Sequence, residues 1–186
     1  ATDLTATSVD GFGETMKYVA PIAKAYGASI EETSAMIGLL GNNNILDSQA
    51  GTSLRGIMTR FAAPPTEAAK VMNKLNLQFK DSKGNLRDMS DIFNEINLKT
   101  KNLGEAGRLE VFKKLGGQEA ISAFAVLVDQ SVALDENTGK TVNKIKDLTN
   151  QLENSEGAAA KAAAILKDNA ASRVLYSEHC LLRSFV

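Results

Sequence analysis

Apolar residues recur three and four apart along most of this chain, and that spacing constrains the fold more than any other feature. A 3.6-residue period places such residues on one face of a helix, and an apolar face has to be buried against another element. The clearest stripe is Ala50, Leu54, Ile57, Met58 and Phe61. Before it, Val9, Phe12, Met16, Val19, Ala23 and Tyr26 mark a helix that Ser8 is placed to cap and Gly27 to end in a left-handed conformation. Pro21 falls inside that run, removes one backbone hydrogen bond, and predicts a kink or a division there. Ser29 and Glu32 have capping-box spacing, and the helix they open carries Ile30, Met36, Ile37 and Leu40 to a stop near Gly41.

Downstream, Pro64-Pro65 ends the third helix. Pro65 also suits the first turn of a fourth, with Ala68, Val71, Met72 and Leu75 facing inward. Leu77-Gln78-Phe79-Lys80 alternates apolar and polar residues, as Asn85-Leu86-Arg87 does more weakly. With Asp81-Ser82-Lys83-Gly84 between them, these predict a short β-hairpin over 77–88. Helical spacing then returns in Met89, Ile92, Phe93 and Ile96, in Leu109, Phe112 and Leu115, and in Ile121, Phe124, Ala125 and Val128; Gly116-Gly117 separates the last two. The fold class expected for residues 1–131 is therefore mainly all-α, an irregular multi-helix domain with one hairpin.

After Ser131 the pattern thins. Ile145, Leu148 and Leu152 stand among Lys, Asp, Asn and Gln, and an Ala-rich stretch follows Gly157. A narrow stripe suits a rod better than a globular core, so 132–169 reads as an extended helical segment. The last residues, 170–186, hold the single His and the single Cys and end in Leu181-Leu182-Arg183-Ser184-Phe185-Val186. They read as a docking segment or a foreign tail, and the abrupt change of composition favours the tail.

Little of this supports chemistry. His179 and Cys180 are neighbours, which point apart on a helix or strand and make a poor chelate, so no metal site is expected. A Ser or Cys nucleophile would have His179 as its only base, and no Gly-x-Ser-x-Gly elbow occurs. Gly11-Phe12-Gly13 and Gly38 to Gly41 follow no strand and lack the Lys of a phosphate loop. Glu31 with Glu32, Asp88 with Asp91, and Glu105 with Glu110 are the carboxylate pairs that could do acid–base work. Helix starts explain each more simply: Glu31, Glu32 and Glu105 suit first turns, and Asp88 or Ser90 can cap the helix at Met89. Arg55 and Arg60 flank the strongest stripe, where their stems can cover apolar surface; a buried ion pair is the sharper alternative. No catalytic residue and no cofactor is assigned. With 21 basic against 22 acidic residues, the net charge of −1 gives no drive toward nucleic acid. The longest apolar run, Ala158 to Leu166, is broken by Lys161 and falls short of a membrane span. No signal peptide stands at the start, and an opening at Ala1-Thr2-Asp3 without Met has the pattern of a fragment or a processed product.

From Lys17 to about Leu127 the chain resembles the conserved domain of phage tail tape-measure proteins. The resemblance rests on ordered segments: Met16-Lys17-Tyr18-Val19-Ala20-Pro21-Ile22-Ala23, then Gly27-Ala28-Ser29-Ile30-Glu31-Glu32-Thr33, then Ala50-Gly51-Thr52-Ser53-Leu54-Arg55 with Arg60-Phe61. Phe79 to Arg87 follows, and Val111-Phe112-Lys113-Lys114-Leu115-Gly116 with Ala120 closes the series. It implies a structural part of a virion tail, assembled in the host bacterial cytoplasm. The implied parent is a long helical protein that sets tail length and helps deliver DNA. Tail-tube and tail-assembly proteins would be its partners, and the start of this chain partway into the domain implies self-association, or cover by the C-terminal tail. Gly51, Thr52, Leu54 and Arg55 match the signature and are expected to serve packing: Gly51 for close helix approach, Leu54 in the core, Arg55 bonding to a neighbouring turn. Two other readings stay open on the residues alone, a helical adaptor unrelated to phage and a peptidoglycan hydrolase module.

Overall fold

The structure is a computed structural model that describes residues 8–134 and 141–154. The chain packs as two compact units, 1–150 and 151–186, and the second is described only at 151–154. The Ala-rich stretch after Gly157 and the segment 170–186 lie outside the described residues.

Eight helices carry the described residues: α1 (Val9–Tyr26), α2 (Ile30–Asn42), α3 (Asp47–Ala62), α4 (Thr66–Leu75), α5 (Met89–Thr100), α6 (Glu105–Gly116), α7 (Ile121–Gln130) and α8 (Lys144–Glu153). The mainly α-helical fold class follows. Two short departures accompany it. The hairpin expected over 77–88 is reduced to one bridge, Lys80 with Leu86. Its turn is tight because the Asp81 carboxylate accepts the N–H groups of Lys83 (2.9 Å) and Asn85 (2.8 Å). A two-residue ladder, β1 (Ala133–Leu134) with β2 (Thr141–Val142), stands where the sequence was read as continuous helix.

Helix ends follow their capping chemistry. The Ser8 hydroxyl accepts from Gly11 N–H at 3.0 Å, and Gly27 ends α1 at φ 78°. Contrary to the expected division, α1 is one helix across Pro21. Pro21 is exposed, so water can take the backbone carbonyl it leaves unpaired.

The core centres on α2 and on a phenylalanine cluster. Residues 32–41 of α2 are all buried, with α1, α3 and α7 packed around it. No charged residue stands between Glu32 and Asp47, as an all-round buried helix requires. The single-face reading of α2 was therefore too narrow. It also misplaced Ile30, which is 63% exposed. Phe61 lies 4.3 Å from Phe79, 5.7 Å from Phe93 and 5.9 Å from Phe124 between ring centroids, and Phe112 joins through Phe124 at 5.4 Å. The tilted and edge-on angles are those aromatic quadrupoles favour. Ala50, Leu54, Ile57, Met58 and Phe61 are buried along α3, and Met89, Ile92, Phe93 and Ile96 along α5. On α6 the expected stripe loses Leu109, which is exposed. On α7 Ala123 and Leu127 are buried beside Phe124 and Val128, while Ile121 and Ala125 are only half-buried.

The most extensive helix contact joins α1 to α3. A Cβ on Gly51 would stand 2.7 Å from the Thr15 carbonyl oxygen and 2.8 Å from Tyr18 Cβ, so only glycine permits the approach. One turn earlier on both helices, the Asp47 carboxylate occupies the space a side chain at Gly11 would need, and Thr15 donates its hydroxyl to the Asp47 carbonyl at 2.9 Å. Gly11, dismissed above as part of a phosphate loop, is thus a packing residue.

Candidate functional site

Three carboxylates named as candidate acids, Glu32, Asp88 and Asp91, come near one another where α2 meets the start of α5. Glu32 is 7% exposed and its Oε1 accepts the Ser90 backbone N–H at 2.9 Å. Burial raises its carboxyl above the usual range, the Ser90 and Met89 N–H groups pull it back down, and the charges of Asp88 and Asp91 push it up. The capping box is therefore half made. The Ser29 hydroxyl accepts from Glu32 N–H at 3.0 Å, but the Glu32 side chain turns to another helix, which neither Asp88 nor Ser90 caps with its own side chain. Asp91 pairs with Lys146 of α8 at 3.5 Å, and Asn143 donates to the Ser90 carbonyl at 3.2 Å. The carboxylate is spent on backbone donors, so the arrangement fixes a helix start. Of the third pair, Glu110 bonds Lys114 at 2.7 Å one turn on, and Glu105 opens α6. Among the described residues no group of three or more His, Cys, Asp and Glu could hold a metal ion.

A second site is an open groove of about 730 Å³ between α3 and the turn joining α6 to α7. Thr52, Arg55, Thr59 and Arg60 line one side, and Gly117 and Glu119 the other. The signature residues divide here. Gly51 and Leu54 are buried in the contacts of α3, whereas Thr52 and Arg55 are exposed along the groove. The bond to a neighbouring turn belongs to Arg60, one helical turn past Arg55. It donates from Nε to the Leu115 carbonyl (3.1 Å) and from Nη2 to the Lys114 carbonyl (2.8 Å). A cation at the carbonyl end of α6 opposes the negative end of the helix dipole. Gly117 lies against the guanidinium at φ 94°, and that backbone conformation asks for glycine, since a Cβ there would only touch Arg60 Cδ at an ordinary 3.4 Å. Gly116 is held by the core, since its Cβ would fall 2.5 Å from the Phe124 ring.

Sequence reasoning missed Arg60 as the cross-helix residue. Its only signal was position: among the stripe-flanking arginines it lies in the last turn of α3, opposite the Gly116-Gly117 break. No described helix is long and apolar enough to cross a membrane.

Residues 1–117 match the family described as phage-related minor tail protein, a stretch that ends at Gly117 of the groove. The chain is 36% identical to the tape measure protein of Pneumococcus phage Dp-1 over 174 residues, 94% of this chain and 14% of that protein. It is 36% identical to the probable tape measure protein of Escherichia phage P2 over 167 residues, 89% of this chain and 19% of that protein. The chain thus spans less than a fifth of the length of these curated relatives. No solved structure matches it.

Proposed function

We propose, because this chain belongs to the phage-related minor tail protein family, that it is a folded node of a tape-measure protein, a structural component of the virion tail without catalytic activity of its own. The observation that carries the reading is the 36% identity to two tape measure proteins along nearly the whole chain. The packing agrees with it: the interior around Phe61 and Phe124 is filled by side chains, and the buried acid Glu32 is bound to backbone N–H groups.

The proposed mechanism is geometric. An α-helix rises about 1.5 Å per residue, so a mostly helical chain converts residue number into distance. A compact node contributes little length itself; it fixes where helical stretches start and meets the proteins assembled around them. The segment 132–169 is proposed to lead from the node into such a stretch, and release of the parent at infection to assist DNA entry. The partners are tail-tube and tail-assembly proteins, met in the host cytoplasm as the tail is built.

The test is an in-frame deletion series in a parent protein carrying this domain. Removing about 30 helical residues is expected to shorten tails by on the order of 45 Å in electron micrographs. Tails of unchanged length would remove the ruler role.

A further inference from the structure

The geometry points to the groove between α3 and the α6–α7 turn as a docking site for an acidic segment of another protein, with Arg55 as its ion-pairing residue. The naming of that protein as a tail component rests on the function proposed above, but the binding itself does not.

Charge is the first reason. Six cations among the described residues have a carboxylate within ion-pair distance: Lys17, Lys70, Arg87, Arg108, Lys114 and Lys146. Neither groove arginine is among them. Arg60 is bound by two carbonyls at the negative end of α6, which offsets part of its positive charge. Arg55 is exposed one helical turn away, and Glu119 is the one acid on the lining. The groove therefore carries a net positive charge in a chain whose total is −1. A concave site with a surplus of one sign favours ligands of the opposite sign.

Shape and lining are the second. At about 730 Å³ the groove falls within the range of ligand clefts. Its walls supply the Thr52 hydroxyl beside Arg55, and Gly56, where a Cβ would meet nothing within 4 Å, leaves room for a backbone. A guanidinium matches a carboxylate with two parallel hydrogen bonds. Nucleic acid fits less well. A duplex needs a row of cations along its phosphates, and a single strand uses aromatic platforms, yet no aromatic residue lines the groove.

The experiment measures fluorescence anisotropy of a labelled alternating Glu/Ala peptide of about a dozen residues with the whole 186-residue chain. Lys/Ala peptide and oligonucleotide probes of matching length run alongside. The Glu/Ala peptide is expected to bind, more weakly as salt rises through the physiological range. Arg55→Glu should weaken it about tenfold or more, and Arg55→Ala by less. Lys99→Glu, an exposed cation outside the groove, should leave binding unchanged, and circular dichroism should show both arginine variants folded. No binding of the acidic peptide, or equal losses in Lys99→Glu and Arg55→Glu, would overturn the assignment. Tighter, Arg55-dependent binding of the oligonucleotide would transfer the groove to nucleic acid. None of these outcomes bears on the tail-length test, so the two readings fail separately.

Discussion

The Glu32 carboxylate, in the first turn of α2, accepts the backbone N–H of Ser90, in the first turn of α5, at 2.9 Å. An anion from one helix start thus completes another that lacks a side-chain cap of its own. Both first turns carry unpaired N–H groups, so this one carboxyl ties two helix starts together, while burial makes its ionised form the less favourable one. Arg60 does the converse at the carbonyl end of α6. An acceptor from α2 and a donor from α3 therefore bind opposite ends of α5 and α6.

This predicts a pH dependence with a definite sign. The buried Glu32 carboxyl has its proton affinity raised, so the folded protein holds that proton more tightly than the unfolded chain. Its contribution to stability is full at acid pH and is lost as pH rises through the raised value. Glu32→Gln keeps an acceptor for Ser90 N–H and cannot ionise. As pH rises from the ordinary carboxyl range, the wild type should lose stability relative to Glu32→Gln, by urea midpoints. Glu32→Ala, with no acceptor, should be less stable than Glu32→Gln by about 1–2 kcal/mol throughout. Parallel pH profiles for wild type and Glu32→Gln would contradict the burial of this charge.

Arg60 is expected to behave as a helix cap. Arg60→Ala removes two hydrogen bonds from a cation to the α6 carbonyls and should cost about 1–2 kcal/mol, a fall of several degrees in Tm. Arg60→Lys should recover only part of this, because an ammonium lacks the planar fork that reaches two carbonyls. Thermal melts that rank Lys with Arg would reduce the role of Arg60 to charge alone.

The sequence carried the helices well and the relations between them poorly, for a physical reason. Period 3.6 is local, so Leu54, Ile57 and Phe61 could be assigned to one buried face without knowing what covers it. A helix buried all round, such as α2, offers no contrast between faces, and Ile30 was drawn inward because its spacing fitted a stripe. Ser29 and Glu32 could be paired as a capping box, but Glu32 bonds a residue 58 positions away. The same distance problem hid Arg60 behind Arg55: both flank one stripe, and only the placement of α6, more than 50 residues on, decides which reaches a carbonyl. The expected hairpin is one bridge long, closed by Asp81 N–H on the Asn85 carbonyl and Arg87 N–H on the Phe79 carbonyl, both at 2.9 Å.

Leu54 measures the core. It is fully buried on α3, so Leu54→Ala should cost about 2–5 kcal/mol through lost transfer energy and the cavity left behind. Leu54→Asp places a charge there without a partner and should abolish helical circular dichroism or solubility. A folded, soluble Leu54→Asp protein would show that the core lies elsewhere.

Gly51 and Gly56 give the sharpest contrast, because they share one helix and differ only in surroundings. A Cβ at Gly51 meets the Thr15 carbonyl oxygen, which belongs to the backbone of α1 and cannot yield unless that helix moves. Gly51→Ala should therefore be destabilising by about 1–3 kcal/mol despite the better helix propensity of alanine. At Gly56 a Cβ meets nothing within 4 Å, so Gly56→Ala keeps only the propensity gain and should stabilise by about 0.5–1 kcal/mol. Chemical denaturation of the two variants side by side tests the α1–α3 contact directly. Opposite signs are required; a stabilising Gly51→Ala would mean that the two helices do not approach as closely as the Thr15–Gly51 distance states.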